Sequence, residues 1–422
     1  MSTPSSAPAW LSVSKTPTKV DSPDSIRPGQ IDDAIDGVVP RQVSEPVSAG
    51  SFAAALGWAA GERMVTVFRG SGTKLAWGRV PPTLDLVLGT GRLTALVAHR
   101  HGDLTATVQA GMRIGHLNTE LARHGQFLPL DGAFDAATVG GTLATNDAGP
   151  LRHRYGTLRD LLLGVTLALA DGRLVKAGGT VVKNVAGYDL GRLVSGSFGS
   201  LAAIVEATFK LMPLPRASAT LVVTYTRVDL LAREAAAILD SQLEPVAFDV
   251  RSSRATGYQL WLRFASSPAA TEAQVVSARR LLTGSVTLST GDDESSAWEE
   301  HRREPWAGAG TVVSLSWLPA HLDRVLTLVE GTALSSGLRA SLVGRVMGVG
   351  LVRLEGDEDQ HADAIDTLRS SGAAGHVVVR RASHEVKAQV DVWGPARLSS
   401  AARALKEMFD PSGVLNAGRG PI

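Results

Sequence analysis

The spacing of apolar positions changes several times along the chain, and each change marks an element. From Ser48, the run AGSFAAALGWAA carries apolar residues at helical spacing and predicts a helix to Trp58 with Ser48 as its N-cap. Residues 64–69 (MVTVFR) read as a strand that runs straight into Gly70-Ser71-Gly72-Thr73-Lys74. Runs at 84–88, 93–100 and 104–110 are strand-like, and 113–124 places Ile114, Leu117 and Leu121 on one helical face before Gly125. Residues 137–210 organise the rest. They combine strand-like runs with two glycine pairs, Gly140-Gly141 and Gly178-Gly179, and few charges, which is backbone made to approach something closely.

Past residue 216 the rhythm is different. Strands at 219–227, 246–252, 258–265 and 285–289 alternate with helices at 229–240 and 268–282, in the order β-α-β-β-α-β. After a charged link, GDDESSAWEEHRREP, the order recurs: strand 311–317, helix 319–333, strands 338–346 and 349–354, helix 358–370, strand 375–381. Two ferredoxin-like units side by side would give one antiparallel sheet covered by helices, so the fold class is α+β. The alternation of Tyr258, Leu260, Leu262 and Phe264 reads as core, as does Trp317. Residues 397–410 predict an amphipathic helix with Leu398, Ala401, Leu405 and Met408 on one face, stopped by Asp410-Pro411.

With 422 residues the chain calls for about two or three domains. Its formal charge of +1 gives no reason to expect nucleic acid or an acidic membrane as partner. Glycine, 44 residues, is about a tenth of the chain against a typical ~7%, a surplus that reflects local backbone chemistry. There is no cysteine, which excludes disulfides, thiolate zinc sites and an iron–sulfur cluster ligated by this chain. Residues 1–27, rich in Ser, Thr and Pro, read as a disordered lead without a secretory h-region. No apolar run approaches ~20 residues, so no transmembrane segment is expected and the predicted location is cytoplasmic.

The chemistry concentrates in the glycine turns. A strand feeding Gly70-Ser71-Gly72-Thr73 can form an anion nest, in which successive N–H groups point at one centre; the same stretch also reads as a plain glycine-rich hairpin turn. It is neither a Rossmann fingerprint, since Leu75 stands where the third glycine belongs, nor a Walker A loop. His99 and His101 could form a metal pair on one strand face, but no third ligand is near in sequence and an exposed pair at a turn is the commoner meaning; no metal site is expected. His361, His376 and His384 stand singly and read as strand ends and surface.

Residues 69–78 (RGSGTKLAWG), 108–125 (VQAGMRIGHLNTELARHG), 137–146 (ATVGGTLATN), 155–171 (YGTLRDLLLGVTLALAD) and 182–190 (VKNVAGYDL) stand in an order that resembles the FAD-binding proteins of the vanillyl-alcohol oxidase / p-cresol methylhydroxylase (PCMH) superfamily. The segment 409–418 (FDPSGVLNAG) is similar to the closing segment of its FAD-linked 2-hydroxy-acid oxidases. Residues 183–190 and the chain length most resemble the FAD-binding subunits of bacterial glycolate oxidases. The resemblance implies a disordered lead at 1–27, a PCMH-type FAD domain at 28–215, an α+β cap at 216–395 and a segment at 396–422 that returns to the FAD domain. It also implies FAD, with the pyrophosphate against Arg69, Gly70, Ser71, Gly72 and Thr73 and a second cradle at Thr138, Val139, Gly140 and Gly141. Thr145 and Asn146 would lie near the flavin, and Ile204 and Val205 near the adenine. Relatives that bond flavin covalently use a histidine or cysteine; the first loop has neither, so a non-covalent flavin is expected.

The histidine-rich motif H-x-G-D-G-N-x-H of the catalytic 2-hydroxy-acid dehydrogenases has no counterpart here, and no catalytic residue is assigned. The first expectation is an electron-transfer subunit of a glycolate or related 2-hydroxy-acid oxidase, with a catalytic flavoprotein subunit and an iron–sulfur subunit as partners, peripheral to the inner membrane through them. The second is a free-standing FAD oxidase with Tyr188, Lys183, Arg154 or His153 as substrate binders. The third is a flavin fold kept as a non-catalytic scaffold.

Overall fold

The computed structural model describes residues 26–421 apart from 181–187 and 396–399. The described residues start slightly before the expected end of the lead. Ile26–Pro28 (β1) pairs with Gln42–Ser44 (β2), so Ile26 and Arg27 already belong to the fold. The helix Ala49–Gly61 is capped as expected, Ser48 Oγ accepting from the Ser51 N–H at 3.1 Å, a bond worth about 1 kcal/mol. Thr66–Arg69 (β3) and Leu86–Gly89 (β4) complete a four-stranded sheet in the order β1-β2-β4-β3, with β4 parallel to both β2 and β3.

A second, antiparallel sheet follows. Leu96–Arg100 (β5) and Thr105–Gln109 (β6) lead into the helix Ile114–Ala122, the short strand Gln126–Phe127 (β7), and the helix Val139–Thr145. Leu162–Ala168 (β8), Leu174–Gly178 (β9) and Ala203–Lys210 (β10) close a sheet ordered β5-β6-β10-β8-β9, and Met212–Pro213 (β11) pairs with β7. Phe209, Leu117, Leu121 and Val139 are fully buried between sheet and helices.

The rest of the chain up to residue 394 builds one eight-stranded antiparallel sheet. Its strands are Ala217–Tyr225 (β12), Ala247–Ser253 (β13), Gly257–Ser266 (β14), Ser285–Thr290 (β15), Thr311–Ser316 (β16), Arg339–Arg345 (β17), Val349–Glu355 (β18) and Val377–Arg381 (β19). The order β15-β12-β14-β13-β17-β18-β16-β19 joins two β-α-β-β-α-β halves edge to edge through β13 and β17, with Asp249 opposite Arg345. Leu260, Leu262, Phe264 and Trp317 are core, and Tyr258 packs at its margin.

Three elements depart from the sequence expectation. The charged stretch after β15 is not a link but the helix Gly291–Arg303. Its charges face outward while Glu294, Trp298 and His301, spaced i, i+4, i+7, turn inward, and Glu294 is neutralised by Arg263 at 3.0 Å. The helix Ser400–Phe409 presents a different face from the one expected: Met408 is exposed and Phe409 packs on the first unit, because Lys406 turns inward to Asp410 and to the Ser200 and Leu415 carbonyls. Leu398 lies outside the described residues. His361 is buried rather than superficial, its Nδ1 2.9 Å from Thr311 Oγ1, while His376 and His384 are exposed.

The tail returns to the first sheet. Leu415 bridges Thr66 of β3 in parallel, and Asn416 N–H donates to the Thr66 carbonyl at 2.8 Å. No helix among the described residues is long and apolar enough to cross a membrane.

Candidate functional site

Where β3 ends, the chain turns through 70–74 against the start of the helix Val139–Thr145. Between this turn, that helix and the start of β10 lies a solvent-open cleft that encloses about 100 Å³. Arg69, Gly70, Ser71, Gly72, Thr73, Thr138, Gly140, Gly141, Thr145 and Ile204 all line it. The backbone N–H groups of 70–74 have no partner among the described residues. Gly72 sits at φ +83°, and a Cβ on Gly70 would stand 2.2 Å from Thr138 Oγ1, so both positions require glycine. A turn with unpaired amides and no side chains in the way is suited to an anion.

The second glycine turn behaves differently. The N–H of Val139 donates to the Met112 carbonyl at 2.9 Å, that of Gly140 to Ala110 at 2.8 Å, and that of Gly141 to Thr138 Oγ1 at 3.3 Å. These amides are spent within the protein, while Thr138, Gly140 and Gly141 still line the cleft. Gly140 is glycine because its Cβ would meet Ala110 Cβ at 2.7 Å, a requirement of helix-on-strand packing. Val139 and Val205 are fully buried in the cores of the first unit and are not among the residues lining the cleft. Asn146, in the left-handed region at φ +48°, ends the helix and lines a neighbouring pocket instead.

Charge at the cleft is arranged by pairs. Arg69 lines it with its backbone end, but its guanidinium turns away to Asp33 at 2.9 Å. Arg27 and Arg69 together hold the Asp33 carboxyl well below the usual carboxylate range. The cation facing inward is Lys74, 3.3 Å from both Thr142 Oγ1 and Asp147 Oδ2. Sequence reasoning missed Lys74 as a wall of the cleft, and missed Trp77, Phe198, Asn416 and Arg419. Arg419 donates through Nε to the Arg79 carbonyl at 3.1 Å and through Nη2 to those of Trp77, at 3.1 Å, and Leu75, so the tail braces the loop after the turn. Asn416 stands inside the FDPSGVLNAG motif, which was the available signal.

Between the two units is a second pocket, of about 70 Å³, that shares Trp77 and Thr145 with the cleft. Arg152, Arg345 and Arg380 line it. Arg380 lies 5.0 Å from the Trp77 ring, which itself stacks on Trp306 at 5.3 Å. None of these arginines was singled out in the sequence. The suggested substrate binders go elsewhere: Arg154 pairs with Glu244 at 3.1 Å, His153 packs edge-on to Phe248, and Tyr188 is exposed. Lys183 lies outside the described residues. His124 stacks on His101 at 4.8 Å beside His99, but no group of three His, Cys, Asp or Glu among the described residues could hold a metal ion.

Residues 40–178 match the family described as FAD binding domain. Within that segment, about a third of the chain, it is similar to FAD-binding domains of the PCMH type. Over 188 residues it is 35% identical to glycolate oxidase subunit GlcD of Bacillus subtilis, covering 44% of this chain and 40% of that one. It is 37% identical to a D-lactate dehydrogenase of Archaeoglobus fulgidus over 40% of this chain and 38% of the other. The matched region thus spans about two fifths of these relatives. With glycolate oxidase subunit GlcE of Escherichia coli the identity is 29%, over 84% of this chain and 91% of that one. Among solved structures, alkyldihydroxyacetonephosphate synthase superposes with TM-score 0.70 at 17% identity over 94% of this chain and 82% of the other. A glucooligosaccharide oxidase of Acremonium strictum gives 0.67 at 15% identity over 91% of each. At these identities the structures speak for the fold alone.

Proposed function

We propose that this chain is the FAD-binding subunit of a complex that oxidises glycolate or a related 2-hydroxy acid, passing electrons from a catalytic flavoprotein subunit to an iron–sulfur subunit. The observation that carries this reading is the reach of the similarities. The match to GlcE runs through 91% of that subunit, whereas the matches to GlcD and the D-lactate dehydrogenase stop at about two fifths of theirs.

In this reading the unpaired amides of Gly70, Ser71, Gly72 and Thr73 hold the pyrophosphate, with Lys74 adding positive charge from the floor of the cleft. Thr138, Gly140, Gly141 and Thr145 form the opposite wall with small surfaces, and Ile204 packs on the adenine side. Val139, Asn146 and Val205 act from behind, as packing and as the helix stop. When bound, FAD supplies a two-electron acceptor that can also release electrons singly. The flavin is held non-covalently: no histidine is among the residues lining the cleft, and the chain has no cysteine. The eight-stranded sheet, read as two ferredoxin-like units, caps the cleft, and the Trp77–Trp306 stack with Arg380 excludes water where the two units meet.

Stopped-flow absorbance at the oxidised-flavin band tests the division of labour. With glycolate or D-lactate the isolated chain should bleach slowly or not at all, and rapidly once the catalytic partner is added. A second reading, a free-standing hydroxy-acid oxidase, draws on the arginines between the units; rapid bleaching without any partner would establish it and overturn the first.

A further inference from the structure

The pocket between the two units holds more positive charge than the protein neutralises. Of the cations near it, Lys74 is matched by Asp147 at 3.3 Å, and Arg345 by Asp249, 3.8 Å away across the β13–β17 ladder. Asp249 is itself fixed by His301, whose Nε2 lies 3.0 Å from Oδ2 with both side chains fully buried. Arg380 and Arg152 have no carboxylate within ion-pair distance among the described residues. Asp160, whose charge reaches Arg152, is turned to the Thr157 N–H and hydroxyl at 2.8 and 3.0 Å.

Arg380 is the more demanding of the two. Its Nε donates to Ser314 Oγ at 3.1 Å, while Nη1 is buried without a partner. Burial lowers its pKa from the usual value, opposed by Asp147. A guanidinium with a buried, unused N–H beside a cavity is a carboxylate or phosphate receptor in waiting, since a fork of donors is matched best by two oxygens. Arg152 stands at the pocket mouth in reach of water. Two cations that line one pocket without an ion-pair partner exceed in charge what a two-carbon monoacid supplies.

We propose that this pocket binds a small dicarboxylate, one carboxylate on Arg380 and the other on Arg152, with Arg345 steadied beside them by Asp249 and His301. Its meaning as a substrate or effector of a flavoprotein rests on the function proposed above, because the pocket shares Trp77 and Thr145 as walls with the flavin cleft.

Titration calorimetry on the full-length, FAD-loaded protein at low ionic strength tests this, with succinate and glutarate set against butyrate and valerate of equal length. The dicarboxylates should bind about tenfold tighter or more, roughly the separation that one further charge-assisted pair confers. Arg152→Met, at an exposed position that tolerates change, should erase the preference at unchanged melting temperature and FAD content. Arg380→Met should abolish binding of both classes, and Arg380→Lys should restore part of it. Equal affinity for the two classes in the parent protein, or a preference that survives Arg152→Met, would overturn the dicarboxylate assignment. The two proposals fail separately: a preference that persists in protein unable to take up FAD sinks the flavin function and leaves the pocket standing. FAD bound with no preference sinks only the pocket.

Discussion

Two glycine turns of this chain look alike in sequence and differ in the fold. At 70–74 the glycines serve an open face: Gly72 adopts positive φ, Gly70 lies against Thr138, and the amides find no acceptor among the described residues. At 138–141 the same residue type serves a closed one, where Gly140 lets a helix sit on Ala110 and the amides are consumed by Met112, Ala110 and Thr138. Glycine in a ligand-binding fold therefore has two causes. Only the destination of the neighbouring N–H groups separates them.

The largest break of this symmetry should come at Gly72. Gly72→Val puts a branched side chain at φ +83° over the unpaired amides and should weaken FAD binding about a hundredfold or more, ~3 kcal/mol, with a smaller loss of stability. Gly102→Val is the comparison: an added Cβ there meets nothing within 4 Å, and FAD content should match the parent. Equal flavin loss in the two variants would assign the effect to folding and end the nest reading.

Gly140→Ala should do the reverse. Its Cβ presses on Ala110 at 2.7 Å, an overpacking that costs about 1–3 kcal/mol, so the melting temperature falls while FAD per folded molecule holds. A variant of parental stability that loses FAD would restore the second turn as a ligand cradle.

A smaller effect sharpens the contrast from behind the helix. Asp131 accepts from the Leu151 N–H at 3.0 and 3.2 Å, and loss of solvent pushes its pKa up to about 6 against the pull of that bond and of Arg345. A carboxyl with a raised folded pKa binds its proton more tightly folded than unfolded. Stability from this group is therefore present below the unfolded pKa of about 4 and lost as pH rises through about 6. Asp131→Asn should gain on the parent across that window and level off above it, read from urea midpoints at several pH values. A pH-independent difference would contradict this origin.

What could be read in the sequence follows the same division between local and long-range causes. The helix Val228–Leu239, the strand Gly257–Ser266 and the 70–74 turn were legible because periodicity and glycine act within a few residues. The helix Gly291–Arg303 was not, because its inward residues, Glu294, Trp298 and His301, become apolar or satisfied only through Arg263 and Asp249 from other strands. The cleft residues named in advance cluster in the motif order. Among those missed at the cleft and at the pocket beside it, Lys74, Arg345, Arg380 and Arg419 are cations whose direction is set by tertiary partners, and a bare arginine in VVVRR carries no sign of where it points.

Amide hydrogen exchange with and without FAD tests the central claim most directly, since the two turns differ in the state of their N–H groups and not in composition. Peptides covering 70–74 should exchange fast in the FAD-free protein and become protected on adding FAD. Those covering 139–141 should be protected beforehand and change little. Protection gained at 139–141, with 70–74 unmoved, would contradict the account.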